Sequence, residues 1–362
     1  MNNGRHTHRA IGAAARRVTL LALVAATLPL LAAKIVEFPL ANANSQPYTI
    51  CLGPDGRLWF TEIAGNRIGA MTTDGVISEY TIPTANSSPI GITAAPANIE
   101  GLVFSMSNAG ALEGIFTSGS FSGLLYTGLT APGQVTAGPD GRVWATESSI
   151  SKIWAQKYAT FGLATTEIPT ITASAGPLGI TPYSGTIAFT EDSANKIGFM
   201  TYELDGIDQE VTIPTAASHP RRLAAAGKYL YFTENGANKI GRYERGANHF
   251  DEYPIPTSAS APLGICLGPD GNVWFTEHDG NKIGRVTPAG VITEYTIPTG
   301  GSGPSSICTG PDGNLYFTEN SANKIGKLDV FIPGDTNDDG TVDVADVFYT
   351  INFLFAGGPA PK

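Results

Sequence analysis

Charge is scarce in this chain of 362 residues. Only 15% are Asp, Glu, Lys or Arg, and acids outnumber bases 32 to 22. Four of the arginines (Arg5, Arg9, Arg16, Arg17) fall in the first 33 residues, which hold no acid; without them 18 basic residues face 32 acidic ones. That balance argues against a nucleic acid or an anionic membrane as partner. Cysteine is nearly absent. Cys51, Cys266 and Cys308 each follow an isoleucine at one recurring place. An odd number at one repeated site does not make a disulfide framework. They read as small apolar core residues, with one pair between neighbouring repeats left open. Histidine is as rare: beyond the first 33 residues only His219, His249 and His278 remain, so imidazole chemistry has three places to act. Glycine (43) and proline (25) are plentiful, a profile of strands joined by many turns.

The N-terminus reads as an export signal. A basic segment ends in Arg16-Arg17, and the uncharged run VTLLALVAATLPLLAA follows over Val18–Ala33. The run is short for a membrane span and ends in small residues. Residues 1–33 are therefore expected to be a removed signal peptide. The rest is then secreted, extracellular or at the cell surface, with no membrane span left. The alternative is a membrane-anchoring helix.

The stretch GPDGNVWFTEHDGNKIG (Gly268–Gly284) has close copies at 53–69 and 310–326. Aligned on the glutamate of FTE, the units fall at Glu62, Met106 in a degenerate copy, Glu147, Glu191, Glu234, Glu277 and Glu319, spaced 41 to 44 residues apart. Such a period marks a solenoid or a propeller. Within 262–300, GICLG, NVWFTE, KIGRVT and VITEYTIP are four short strands, and PDG and PAG are tight turns. Four antiparallel strands without helical periodicity describe a propeller blade. The seventh unit lacks its fourth strand, and IVEFPL (Ile35–Leu40) at the other end of the chain matches the missing piece. The expected fold is all-β: a seven-bladed β-propeller over 34–332, closed by its N-terminal strand, which removes open sheet edges.

Composition changes over 333–362. DTNDDGTVDVAD follows the spacing of a calcium loop. Asp335, Asn337, Asp339 and Asp346 would offer side-chain oxygens, Thr341 its carbonyl, and Asp343 a direct or water-mediated bond. Val344–Phe355 has the periodicity of a short helix. This EF-hand-like loop and helix resembles one half of a type I dockerin. The resemblance implies Ca2+ as cofactor and a cohesin-like partner. A lone half would instead rest on the propeller or on a second copy.

The repeats PxGIxxGPDGxxWFTExxxNKIGR and ITEYTIPT resemble those of the virginiamycin B lyase (streptogramin lyase) family across essentially the whole propeller. That family opens a cyclic peptide lactone by elimination, using a histidine base and Mg2+ at one mouth of the ring. The resemblance implies that Tyr48 and Glu319 occupy catalytic positions. Leu263 and Ser305 stand in the two histidine slots, and Gly303 stands where the family has a second glutamate. Leucine accepts no proton, and serine needs its own base.

Six of seven units keep the glutamate, as a structural group would. Each is expected to pair with the lysine or backbone of its own NKIG loop, Glu191 with Lys196 and Glu234 with Lys239. The sharper reading is an acidic ring at the mouth. There Arg221, Glu234, Glu277 and His278 would meet a ligand. Together these residues lead to a ligand-binding or scaffold propeller for a small molecule, peptide or carbohydrate. The alternatives are a C–O lyase with a rebuilt base, from His219 and His278, and a metal-dependent lactonase-like hydrolase.

Overall fold

A computed structural model describes residues 34–96, 100–157, 166–203, 206–330 and 350–352. Seven four-stranded antiparallel sheets surround a central channel. Blade six shows the pattern. Pro262–Leu267 lines the channel, Val273–Glu277 and Lys282–Val286 follow outward, and Ile292–Thr296 is the outer strand. The second strand is buried at every residue, while the outer strand is half-exposed. Burial on both faces explains why VWF at the start of the second strand is a continuous apolar run rather than an alternating one.

The ring closes as the sequence predicts. Ile35–Pro39 pairs antiparallel with Lys324–Leu328, from Ile35 opposite Leu328 to Pro39 opposite Lys324. The core is a set of apolar layers between neighbouring blades. Trp274, Ile283 and Ile297 of blade six meet Ile307, Leu315 and Phe317 of blade seven. Across the closure, Tyr316 and Ile325 meet Ile50, Leu58 and Phe60 of blade one.

The repeated motifs each have a local cause. In GPDG the aspartate fixes the turn and accepts the indole N–H of the strand that follows, 3.0 Å from Asp270 to Trp274. In NKIG the asparagine takes a left-handed backbone, φ 58° at Asn195. Its side chain bonds the backbone of the next loop through Ser218 N at 2.7 Å and Thr215 O at 3.0 Å. The glycine of NKIG lies under the phenylalanine of WFTE. A Cβ on Gly284 would lie 2.1 Å from Phe275 Cζ, so no other residue fits beneath that ring.

Two blades depart from the pattern, as their sequences suggest. In blade two Met106 takes the glutamate's place opposite Pro89, and the outer strand Phe121–Thr127 pairs with shifts of register. In blade three the inner strand shortens to Val135–Ala137, and a 3-10 turn, Ser148–Ile150, follows Glu147. All three cysteines are free, and burial pushes the thiols of Cys51 and Cys266 up to about 12. The signal segment and the calcium-loop residues Asp335, Asn337, Asp339, Thr341, Asp343 and Asp346 lie outside the described residues. Of the tail, residues 350–352 are described, in helical conformation. Among the described residues no helix is long and apolar enough to cross a membrane.

Candidate ligand site at the channel mouth

The hydroxyl before each repeated glutamate sets the geometry of the mouth. Thr233 Oγ1 accepts the amide of Arg222 in its own blade at 3.1 Å and donates to the carbonyl of Leu263 in the next at 3.0 Å. The same two bonds recur at Thr61, Ser105, Thr146, Thr190 and Thr276. Thr318 completes the ring across the closure, from Ser306 N at 3.0 Å to Tyr48 O at 2.9 Å. Each blade is thereby stapled to its neighbour at one height. Each also presents one residue there: Tyr48, Ile90, Gly133, Leu178, Arg221, Leu263 and Ser305.

Tyr48, Ile90, Leu178, Arg221 and Leu263 enclose a cavity of about 90 Å3 together with Gln134 and Arg222. A second cavity of about 150 Å3 lies further along the channel, among Ile180, Leu223, Ile265 and Ile307. Gln134 and Arg222 border both, so they stand between them. The Arg222 guanidinium crosses the channel. It donates to Gln134 Oε1, and to Thr49 Oγ1 at 3.3 Å, and lies 5.7 Å from the centre of the Tyr48 ring. Desolvation lowers its pKa and Tyr48 opposes that shift. The guanidinium stays charged at any working pH. A cation held this way by neutral oxygens is an expensive arrangement. Arg222 was not among the residues singled out from sequence. Its only signal there is an arginine doublet inside an inner strand, where other units carry glycine or small polar residues.

The other candidates scatter. Arg221 stands at the rim, its Nε 3.5 Å from Asp192 Oδ1; the same oxygen lies 3.3 Å from His219 Nδ1. His278 belongs to the boundary of blades six and seven, two boundaries away. A Cβ added to Gly303 would lie 3.3 Å from His278 Nε2 and 2.5 Å from Ser321 Oγ, and Gly303 itself has φ 60°. His278 therefore borders the space where the family's second glutamate would project. Ser305 is buried, and its hydroxyl lies 3.3 Å from the Gly303 carbonyl. His249 sits on the outer strand His249–Pro254, 3.3 Å from Asp251.

The repeated glutamates depart from both expectations. Glu62, Glu147, Glu191, Glu234, Glu277 and Glu319 have no exposed surface. Glu234 and Glu277 thus do not face a ligand at the mouth, and Glu319 is placed like its counterparts. The expected lysine partner goes elsewhere. Lys196 bonds Glu210 of the outer strand at 3.0 Å and Thr172 at 2.6 Å; Lys239 does the same with Glu252 and Thr215, at 3.1 and 2.6 Å. The inner glutamate is left beside that outer carboxylate. Burial, then the neighbouring charge of Glu210, raises Glu191 to about 8; burial and Glu37 do the same for Glu319. Neither oxygen of either residue meets a donor among the described residues. A proton shared between the two carboxyls accounts for both facts, since a protonated acid can donate to the carboxylate beside it.

Mg2+ does not fit this mouth. A hard cation needs several oxygen ligands, usually carboxylates. Here two guanidiniums and three aliphatic side chains surround the opening. Among the described residues no group of three His, Cys, Asp or Glu converges on one centre.

The virginiamycin B lyase family model matches residues 30–226 and 163–336. Virginiamycin B lyase of Bordetella bronchiseptica is 38% identical over 60 residues, 17% of this chain and only 20% of that relative's length. The selenomethionine-substituted structure of the Staphylococcus aureus enzyme superposes with a TM-score of 0.74 at 32% identity, covering 83% of this chain and all of that one. A catalytically inactive histidine-to-alanine variant of that enzyme, solved with quinupristin, gives 0.74 at 31% identity over the same shares. With this coverage and seven blades closed by the N-terminal strand, the chain belongs to the virginiamycin B lyase family.

Proposed function

We propose that the chain is an exported ligand-binding propeller, which takes a small molecule or peptide at the channel mouth without opening a lactone. The observation that carries this reading is the pair of slots where the resemblance expects histidine. Leu263 walls the cavity, and Ser305 is buried with its hydroxyl against a backbone carbonyl. Neither supplies a base for proton abstraction. Tyr48 is engaged by a guanidinium instead of standing free. The test is incubation of the full chain with quinupristin and Mg2+, followed by mass spectrometry. Intact quinupristin is expected; a ring-opened product formed at ordinary enzymatic rates would overturn the reading.

One observation favours the lyase as a second reading. The His278 ring borders the vacant side-chain position at Gly303, where a relocated base could reach the mouth. In that case product would form, and His278→Ala would abolish it.

The tail over 333–362 is proposed to hold one Ca2+ through its aspartate-rich loop and to dock its helix on a cohesin-like partner, the propeller or a second copy. Calorimetric titration of the full chain should show one saturable Ca2+ site. Asp335→Asn combined with Asp339→Asn should weaken it at least tenfold. Equal heats from the two proteins would remove the loop from consideration.

A further inference from the structure

We propose that the channel mouth binds the carboxylate of an acyclic ligand, with Arg222 as the anchoring cation and Arg221 at the rim. The inference rests on the ligand-binding reading above and names the chemistry of that ligand.

Arg222 is a cation deep in the channel whose partners, Gln134, Thr49 and the Tyr48 ring, are all neutral. Among the described residues, the two guanidiniums at the cavity have one acid as ion-pair partner, Asp192, and Asp192 is divided between Arg221 and His219. The site therefore lacks one negative charge, and the cavity is where a ligand can bring it. A guanidinium matches a carboxylate in planar, two-pronged fashion, and such bonds strengthen where water is scarce. Gln134 reinforces the polarity. Its oxygen is turned to Arg222, and its amide N–H reaches Thr49 at 3.3 Å. Ile90, Leu178 and Leu263 supply the apolar lining, the two leucines from the blades on either side of Arg222. An apolar wall beside a cation selects a carboxylate carrying an apolar group over a bare inorganic anion. A cyclic lactone has no such carboxylate, whereas a linear peptide ends in one.

The probes are N-acetyl-leucine, N-acetyl-leucinamide and inorganic phosphate, titrated against the full chain by ligand-observed NMR. N-acetyl-leucine should bind saturably, and both the amide and phosphate at least tenfold more weakly. Arg222→Met should lose carboxylate binding by tenfold or more. It should keep the melting temperature within a few degrees or raise it, because it removes a charge without a counter-charge. If Arg222→Met does not fold, Arg221→Gln at the rim carries the test, with a severalfold loss expected. Absence of saturable binding overturns the proposal, as does equal binding of acid and amide or of phosphate, or binding that survives both substitutions. The quinupristin assay is independent of these outcomes. Turnover there with carboxylate selectivity intact would refute the non-catalytic reading and leave the anion site standing.

Discussion

Glu234 has no exposed surface and a second carboxylate, Glu252, at its side. Burial first, and the charge of Glu252 next, lift its pKa to about 8. Glu252 moves the other way: desolvation opposes it, but bonds from Thr215 and Lys239 hold it below its ordinary value. The signs set a pH window. A carboxyl with a raised folded pKa contributes most below the ordinary carboxylate range, and its contribution is lost as pH climbs through about 8. A carboxyl with a depressed pKa contributes above that range and loses its contribution as pH falls through the lowered value. Stability should therefore be highest near the ordinary carboxylate range and fall as pH rises from there, through about 7 for Glu62 and Glu277 and about 8 for Glu234. Glu234→Gln keeps the donor and cannot ionise. Chemical denaturation should find the variant within about 1 kcal/mol of the parent at pH 5 and about 4 kcal/mol more stable, relative to it, at pH 9. Parallel stability curves across that range would show that Glu234 is ionised when folded.

At the scale of elements, most of the blade was legible. The turn residues of GPDG, the buried second strand and the half-exposed edge strand all follow from local chemistry, although the edge strand of blade six stops at Thr296, two residues short of the proline expected within it. Partner choice was not legible. A lysine next to two glutamates in sequence terms gives no sign of which it will bond. Lys196 and Glu191 are directly opposite across a hairpin, yet the lysine's ammonium goes to Glu210, where Thr172 adds two further hydrogen bonds to the same carboxylate. That threonine arrives from the preceding blade, so the preference is set by packing between repeats. The same limit hid Arg222. Its significance depends on Gln134 and Thr49, 88 and 173 residues away in the chain, meeting it across the channel. The threonine before each glutamate looked like part of a strand, although it carries the bond that joins each blade to the next.

For the whole molecule, the seventh blade is the weak point of the ring. Its outer strand is held by the ladder from Ile35 to Pro39, with Glu37 bonded to Thr299 at 2.9 Å and to Lys324 at 3.2 Å. Removing residues 34–40 would leave Lys324–Leu328 as an open edge, which invites pairing with another chain. The truncated protein should melt about 5 °C or more below the parent, from roughly 3–5 kcal/mol of lost packing and hydrogen bonds. It should also elute as higher-order species in size-exclusion chromatography. A monodisperse monomer with an unchanged melting temperature would show that the closing strand is dispensable.

That same ladder has a bearing on biosynthesis. Ile35–Pro39 leaves the ribosome early, and its mate Lys324–Leu328 is among the last propeller segments to emerge. At ordinary translation speed the two are separated by roughly 15–60 s. Throughout that interval the emerged N-terminal strand lacks its mate, and the ring locks only once synthesis of the final blade is done.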